Sequence, residues 1–372
     1  MTHADQLYLG LMSGTSMDGI DVAVVRFGNH QCDVVAAACA AYPDAIRNDL
    51  RSTRQGTGTC TIDMIGQLDR MVGECFADAA VEILSQNRIG PANIVAIGSH
   101  GQTLRHQPGA TPPYTMQIGD PSIIAARTGI PVVADFRRGD MAVGGQGAPL
   151  TPAFHEWLFR HDSSHRVVLN IGGIANITIL PSRGSVTGFD TGPGNTLLDA
   201  WARQQLNRDF DFEGSWAASG MASQKLLIAM MRDPYFAEPP PKSTGFEHFN
   251  LEWLERMIAE SKDRPAAQDV QATLAELTCR SIADAISAHA SGTSEVFVCG
   301  GGLHNSYLMR RLADLLGGVS IQSTSAHGLD PDWVEVAAFA WLAKRRVSGE
   351  PGNLPSVTGA ERPVLLGAIF AA

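Results

Sequence analysis

Four short glycine turns, each set at the end of an apolar run, limit what this chain can fold into more than any other feature. The first lies in Leu9–Asp21, LGLMSGTSMDGID, between the apolar runs Leu7–Met12 and Ile20–Phe27. Two such runs joined by a glycine turn read as a β-hairpin. The turn Ser13-Gly14-Thr15-Ser16-Met17-Asp18-Gly19 is richer in hydroxyls and glycine than a chain reversal needs. Glycine lets backbone N–H groups approach a ligand and Ser/Thr hydroxyls add donors, so the turn suits an anionic phosphate; an ordinary tight hairpin fits equally. Asp18 is a candidate Mg²⁺ ligand, directly or through water, since that ion takes oxygen ligands and keeps much of its hydration.

Three more turns follow the same design. Arg166–Leu180, RVVLNIGGIANITIL, places Gly172-Gly173 between two apolar runs. Next, a strand-like Ser185–Phe189 ends at Asp190, and a Gly/Pro turn leads into Thr196–Leu206, which has helical periodicity through Leu197, Leu198 and Trp201. Last, Glu295–Cys299 meets Gly300-Gly301-Gly302, with a helix beginning near Asn305. Glycine turns at strand ends, two of them opening helices, point to a nucleotide site assembled from two halves.

The rest of the chain agrees with a duplicated α/β protein. Cys32–Tyr42 is β-like, and Ile62–Leu84 spaces Ile62, Ile65, Leu68, Val72, Phe76, Ala80 and Ile83 by threes and fours, a helix. A buried strand Ile94–Gly98 runs into Ser99-His100-Gly101-Gln102-Thr103, Ser122–Thr128 is helical, and Ile130–Ala134 is a strand closed by Asp135-Phe136-Arg137-Arg138. The order is that of a mixed α/β unit, and it restarts at Val167. At 372 residues two domains are expected: 1–135, to which the strand-like tail 350–372 returns, and 136–349. GGQGAP, near residue 145, is the expected flexible crossing.

Composition excludes several classes. A net charge of −10 argues against a general nucleic-acid binder, which concentrates basic surface. No apolar stretch approaches the roughly 20 residues of a membrane helix. MTHADQ lacks the basic start of a secretion signal, so a cytoplasmic protein is expected. The six cysteines have no CxxC pairing, which leaves neither a zinc site nor a disulfide framework. Neither GxxxxGK[ST] nor GxGxxG occurs, which removes the usual support for a P-loop or an NAD-dependent oxidoreductase. His155, His161 and His165 lack HExxH spacing and read as lying on or beside a solvated helix end.

The motifs LGLMSGTSMDGID, SHGQT, ADFR, GGQGAPL, NIGGIAN, GFDTGPGN, GGGLHN and NLPSVTGA together resemble the anhydro-N-acetylmuramic acid kinase family. That family sits in the superfamily of sugar kinases, heat-shock chaperones and actin. The resemblance runs from Leu9 nearly to the C-terminus. It implies an α/β chain of two duplicated ribonuclease H-like domains, the actin-like ATPase fold, with a nucleotide cleft between them. It further implies ATP, Mg²⁺ and 1,6-anhydro-N-acetylmuramic acid as ligands, in peptidoglycan recycling, with N-acetylmuramic acid 6-phosphate as product. A homodimer is within the expected assemblies; nucleic acid and membrane are not expected partners. A chaperone-like ATPase clamp is the rival within the superfamily, but the chain has no spare length for a peptide-binding domain. Another sugar or carboxylate kinase of the same fold is the nearer alternative.

Residue by residue, the resemblance assigns Asp190 in GFDTGPGN as the catalytic base; by position alone an N-cap or turn role fits as well. Nucleotide contacts fall to Ser13, Gly14, Thr15, Ser16, Met17, Asp18, Gly19 and Ile20, with Gly172, Gly173, Gly300, Gly301 and Gly302. Substrate contacts fall to His100, Arg137 and Glu335. A guanidinium receives a carboxylate bidentately, and Arg137, inside ADFR, is preferred to its neighbour Arg138. Glu335 opens an alanine-rich helix, Trp333–Arg346, whose small residues would allow two domains to hinge closely.

Overall fold

The structure of the chain, a computed structural model, describes residues 6–14, 17, 19–55 and 60–372. Its strands are β1 (Leu7–Ser13), β2 (Ile20–Phe27), β3 (Cys32–Ala40), β4 (Ile94–Gln107), β5 (Tyr114–Ile118) and β6 (Val132–Ala134), followed by β7 (Arg166–Ile171), β8 (Ile174–Leu180), β9 (Thr187–Pro193), β10 (Glu295–Cys299), β11 (Ser320–Ser323) and β12 (Ala368–Phe370). The chain divides into two compact units, Met1–Leu158 with Trp333–Ala372, and Phe159–Asp332.

In the first unit the sheet order is β12-β6-β4-β1-β2-β3, with β5 paired to β4. β1, β2 and β3 form an antiparallel meander, and β4 runs parallel to β1 and β6. Every residue of β1 is buried, so both its faces are covered. The helix Ile62–Gln86 buries Leu68, Val72, Phe76, Ala80 and Ile83, the stripe its periodicity predicts, while Ile62 in the first turn stays exposed. The tail strand β12 pairs antiparallel with β6, Ala368 opposite Ala134.

The second unit repeats the plan in the order β11-β10-β7-β8-β9. β7, β8 and β9 form the antiparallel meander, and β10 is parallel to β7 and β11. Strands 1-2-3-4-6 of the first sheet thus correspond to 7-8-9-10-11 of the second, in order and in sense. This is the expected ribonuclease H-like arrangement, present twice. Its core joins Val167, Leu169 and Ile177 of the sheet to Leu197 and Trp201 of the helix Thr196–Leu206, and to Leu274, Leu277 and Ile282 of the helix Ala267–His289.

The units break at Leu158/Phe159 and Asp332/Trp333, whereas the sequence reading placed 136–349 together. The helix Val334–Val347 explains the difference: it lies flat on the first sheet. A Cβ added to Gly10 on β1 would land on the carbonyl oxygen of Val336, and one on Gly98 of β4 on that of Phe339. Ala337, Ala338, Ala340 and Ala343 are fully buried. The small residues expected to serve a hinge instead bring a helix backbone against its own unit's sheet. Among the described residues, no helix is long and apolar enough to cross a membrane.

Candidate functional site

In the first unit the β1–β2 connection is closed at its neck by side chains. The Ser13 hydroxyl, nearly inaccessible to solvent, lies 2.8 Å from the Gly19 carbonyl and 2.7 Å from Gln102 Oε1. Gln102 Nε2 donates to the Gly14 carbonyl at 3.1 Å. Met17 and Ile20 are buried in the hydrophobic core, so what they can offer a ligand is backbone. A Cβ on Gly19 would come within 2.6 Å of Cys39 Sγ, which explains that glycine by packing. Thr15, Ser16 and Asp18 lie outside the described residues.

The SHGQT motif is inside β4, not in a loop after it, and His100 is buried. Arg137 stands in a short helix, Phe136–Met141, entered through Asp135 in the left-handed conformation (φ 61°). Arg137 Nε donates to His100 Nε2 at 3.1 Å, one terminal nitrogen lies 2.9 Å from the same atom, and the other donates to the Gly147 carbonyl at 2.8 Å. His100 Nδ1 lies 3.0 Å from the Gly101 carbonyl, so the tautomer protonated at Nδ1 satisfies both contacts. Burial first, and the Arg137 charge second, hold the His100 pKa well below its ordinary value, so the imidazole is neutral. Burial lowers Arg137 to about 10, against the pull of the Glu335 and Asp140 carboxylates. Glu335 is raised to about 7, chiefly by burial and then by Asp21, with Arg137 opposing. The three expected substrate contacts of this unit therefore form one electrostatic group. Arg138 is exposed and paired with Asp135 at 3.3 Å.

In the second unit the glycine turns converge. The Gly194 and Thr196 N–H groups donate to the Gly173 carbonyl at 2.9 and 3.0 Å, and Asn195 N–H to the Gly172 carbonyl at 2.8 Å. Asn195 Nδ2 donates to the Ile171 carbonyl at 3.2 Å, and a Cβ on Gly301 would have that nitrogen as its nearest neighbour, 3.9 Å away. Packing explains some of these glycines and not others. A Cβ on Gly300 would strike Asn170 Oδ1 and one on Gly302 the Ile171 side chain, and Gly300 has φ 80°. Gly172 and Gly301 meet nothing closer than ordinary contact, so their open faces are free for a ligand. At the helix starts that follow, the β7–β8 turn carbonyls take Asn195 and Thr196 N–H, and Asn305 caps Leu308 N–H.

Asp190 lies inside β9, paired with Asn176, rather than at a strand end. The register jumps from Asn176–Asp190 to Ala175–Gly192, leaving Thr191 as an extra residue. A bulge of this kind re-aims neighbouring side chains. The segment Lys242–Thr244 wraps the aspartate: Asp190 N–H donates to the Lys242 carbonyl at 3.2 Å and Thr244 N–H to Asp190 Oδ2 at 3.0 Å. The Tyr235 hydroxyl donates to the Asp190 carbonyl at 2.6 Å, and Lys242 Nζ donates to the Tyr235 carbonyl at 2.9 Å. Burial pushes Asp190 up to about 7, partly offset by the Thr244 bond. A carboxylate tuned near neutrality and held by backbone is suited to take a proton. Tyr235, Lys242 and Thr244 are not among the residues the motifs single out; the hydroxyl-and-glycine cluster Lys242-Ser243-Thr244-Gly245 is the available signal.

His155, expected at a solvated helix end, is instead buried within the helix Thr151–Phe159, its pKa lowered by burial to about 3. His161 and His165 are exposed, and no group of three or more metal-binding side chains occurs among the described residues.

A family model described as anhydro-N-acetylmuramic acid kinase matches residues 6–372. A relative of that name from Xanthomonas campestris pv. campestris (strain 8004) is 51% identical over 374 residues, spanning 100% of this chain and 98% of the relative. One from Coxiella burnetii (strain Dugway 5J108-111) is 48% identical over 365 residues, 98% of this chain and 97% of the relative. Among solved structures, the activator of the 2-hydroxyisocaproyl-CoA dehydratase from Clostridium difficile with bound ADPNP overlaps with a TM-score of 0.46 at 13% identity, covering 92% of this chain and 97% of that one. A ROK family glucokinase from Streptomyces griseus gives 0.39 at 14%, covering 91% and 99%.

Proposed function

We propose, from the premise that this chain belongs to the anhydro-N-acetylmuramic acid kinase family and is a phosphotransferase, that it uses ATP and water to convert 1,6-anhydro-N-acetylmuramic acid into N-acetylmuramic acid 6-phosphate. Its place is then the recycling of cell-wall fragments. The observation that carries this reading is Asp190, a carboxylate wrapped by backbone and raised to about 7.

The substrate poses a chemical problem that an ordinary sugar hydroxyl does not. The oxygen that receives the phosphoryl group is locked in an intramolecular ether, so the bridge must open as transfer occurs. Asp190 takes a proton from water as its oxygen bonds to the anomeric carbon; the bond from that carbon to the bridging oxygen breaks, and the freed O6 takes the γ-phosphoryl group as ADP leaves. Because water arrives opposite the bridge, the configuration inverts, as when a glycosidase base activates water directly. The open backbone at Gly172 and Gly301 suits the nucleotide. Mg²⁺ needs no full protein cage, and Asp18 with the nucleotide's own phosphates would hold it and neutralise phosphate charge. Arg137, oriented by neutral His100 and the Gly147 carbonyl, receives the lactyl carboxylate that distinguishes muramic acid from glucosamine.

Mass analysis of the product formed from ATP and the anhydro sugar tests this directly: the 6-phosphate of the opened sugar is expected, and phosphorylation with the bridge intact would overturn it. Turnover should also depend on pH with a definite sign. Asp190 works as its anion, so the rate rises through about pH 7 to a plateau and falls tenfold per unit below it. Glu335 titrates in the same range. The Glu335→Gln variant therefore isolates the Asp190 limb, and a flat profile there removes Asp190 as the base.

The two classes of glycine give a second check. Gly302→Ala should destabilise the protein by about 1–3 kcal/mol, because the new methyl overlaps Ile171. Gly301→Ala should melt close to the parent yet lose ATP affinity in calorimetry. Equal ATP affinity in Gly301→Ala would make that open face incidental.

A further inference from the structure

Apart from the Gly147 carbonyl, GGQGAPL and NLPSVTGA have no part in the chemistry just described, yet they meet on one buried carboxylate. Asp140 has no solvent exposure. Its Oδ1 accepts from Asn353 Nδ2 and from the Thr358 hydroxyl, both at 2.7 Å, and its Oδ2 accepts from Gly147 N–H at 2.8 Å. Gly145 lies so close to Oδ2 that a Cβ there would overlap it, and Gly145 N–H donates to the Asp140 carbonyl at 3.0 Å. Gln146 N–H donates to the Thr358 carbonyl at 2.8 Å. The segment expected to be a flexible crossing is therefore fixed by the Asp140 carboxylate together with the backbone carbonyls of Asp140 and Thr358. The other end of the Gly147 residue is the acceptor for Arg137. Gly147 sits at φ 72°, where its N–H reaches Asp140 while its carbonyl reaches the guanidinium.

We propose that Asp140 is a positioning residue for Arg137: by fixing the Gly147 peptide it sets the orientation of the guanidinium, and with it the selection of a carboxylate-bearing sugar. This rests on the reading of Arg137 as the group that receives the lactyl carboxylate. A carboxylate is needed because all three partners donate. An amide in its place keeps an acceptor for Asn353 and Thr358 only by turning its own N–H groups toward Gly147 N–H, and the opposite rotamer faces the other pair. One side of the clamp opens either way. Bidentate recognition depends on the direction of the guanidinium plane, so the loss falls on substrate affinity rather than on the chemical step.

The test compares 1,6-anhydro-N-acetylmuramic acid with 1,6-anhydro-N-acetylglucosamine, which lacks the lactyl group, in the full-length protein with ATP. Asp140→Asn is expected to raise KM for the muramic sugar by about tenfold or more, the worth of a lost charge-assisted contact, with kcat changed less than about threefold. The preference in kcat/KM should shrink accordingly. Thr128→Val removes a different buried hydroxyl of the same unit, whose hydrogen bond runs to Ile124. It should lower the melting temperature and leave the preference intact, so general loosening is separated from positioning. If Asp140→Asn does not fold, Thr358→Val loosens the same carboxylate more gently and should cost a few-fold in preference. An undiminished preference in a folded Asp140→Asn or Thr358→Val variant, with the preference lost in Arg137→Ala, overturns the role of Asp140. A preference that survives Arg137→Ala overturns the reading of Arg137 itself.

Discussion

Asp190→Asn should fold like the parent protein, bind ATP and sugar, and lose turnover by roughly 10²–10⁴-fold, the usual worth of a general base. The substitution preserves shape, and the amide oxygen can still accept from Thr244 N–H, which reaches Oδ2 at 3.0 Å in the parent. What disappears is the capacity to take a proton from water. The bonds that hold the residue in place are largely made by its own backbone: its N–H donates to the Lys242 carbonyl, and its carbonyl accepts from the Tyr235 hydroxyl. These survive the change, so a loss of rate cannot be charged to a collapsed loop. Steady-state kinetics with melting curves and calorimetry of ATP binding check the three parts together. Turnover within a few-fold of the parent would take Asp190 out of the mechanism.

The largest effect on stability is expected at Gly98. Its added methyl would occupy the position of the Phe339 carbonyl oxygen, a backbone atom in the middle of the helix Val334–Val347. A flexible side chain could move aside; a helix backbone moves only as a body. Gly10, on the adjacent strand β1, constrains the same helix at Val336. Gly98→Ala should therefore destabilise by about 3 kcal/mol or more, the upper end for overpacking. For a protein of this size that corresponds to a fall in melting temperature of at least ~4 °C. The damage should reach the site, because Phe339 packs 4.5 Å from the His100 ring and Glu335 lies on the same helix. A fall of less than about 2 °C would mean that these glycines do not set the spacing of helix and sheet.

The comparison of sequence with structure divides along one physical line. Features decided by neighbours in the chain were legible. The apolar runs around Leu9 and Val24, joined by a glycine turn, specified an antiparallel pair, the three-and-four spacing of Leu68, Val72, Phe76, Ala80 and Ile83 specified a buried stripe, and Asn305 marked a helix start it does cap. The duplication was legible too, because both sheets repeat the same run of local patterns. Features decided by distant partners were not. Asp190 read as a strand end because Gly192, Pro193 and Gly194 look like a turn, but pairing with β8 carries β9 through to Pro193 with a bulge at Thr191. The Lys242–Thr244 wrap joins Asp190 to residues more than 50 positions away, and nothing around either segment announces the other. Asp140 and Thr358 are separated by 218 residues. GGQGAP has the composition of a hinge, and the Asp140 carboxylate beneath it, with backbone bonds to Asp140 and Thr358, holds it in place. The alanines of Val334–Val347 announced a close approach without saying to what.

The proposal that water opens the bridge while O6 takes the phosphoryl group is tested most directly by the oxygen atoms themselves. The reaction is run with ATP and 1,6-anhydro-N-acetylmuramic acid in ¹⁸O water, and the sugar phosphate is analysed by fragment mass before the anomeric position exchanges. One ¹⁸O at the anomeric hydroxyl, with none in the phosphate group, is expected. Label in the phosphate, or a product without label at the anomeric carbon, would contradict a water delivered there by Asp190.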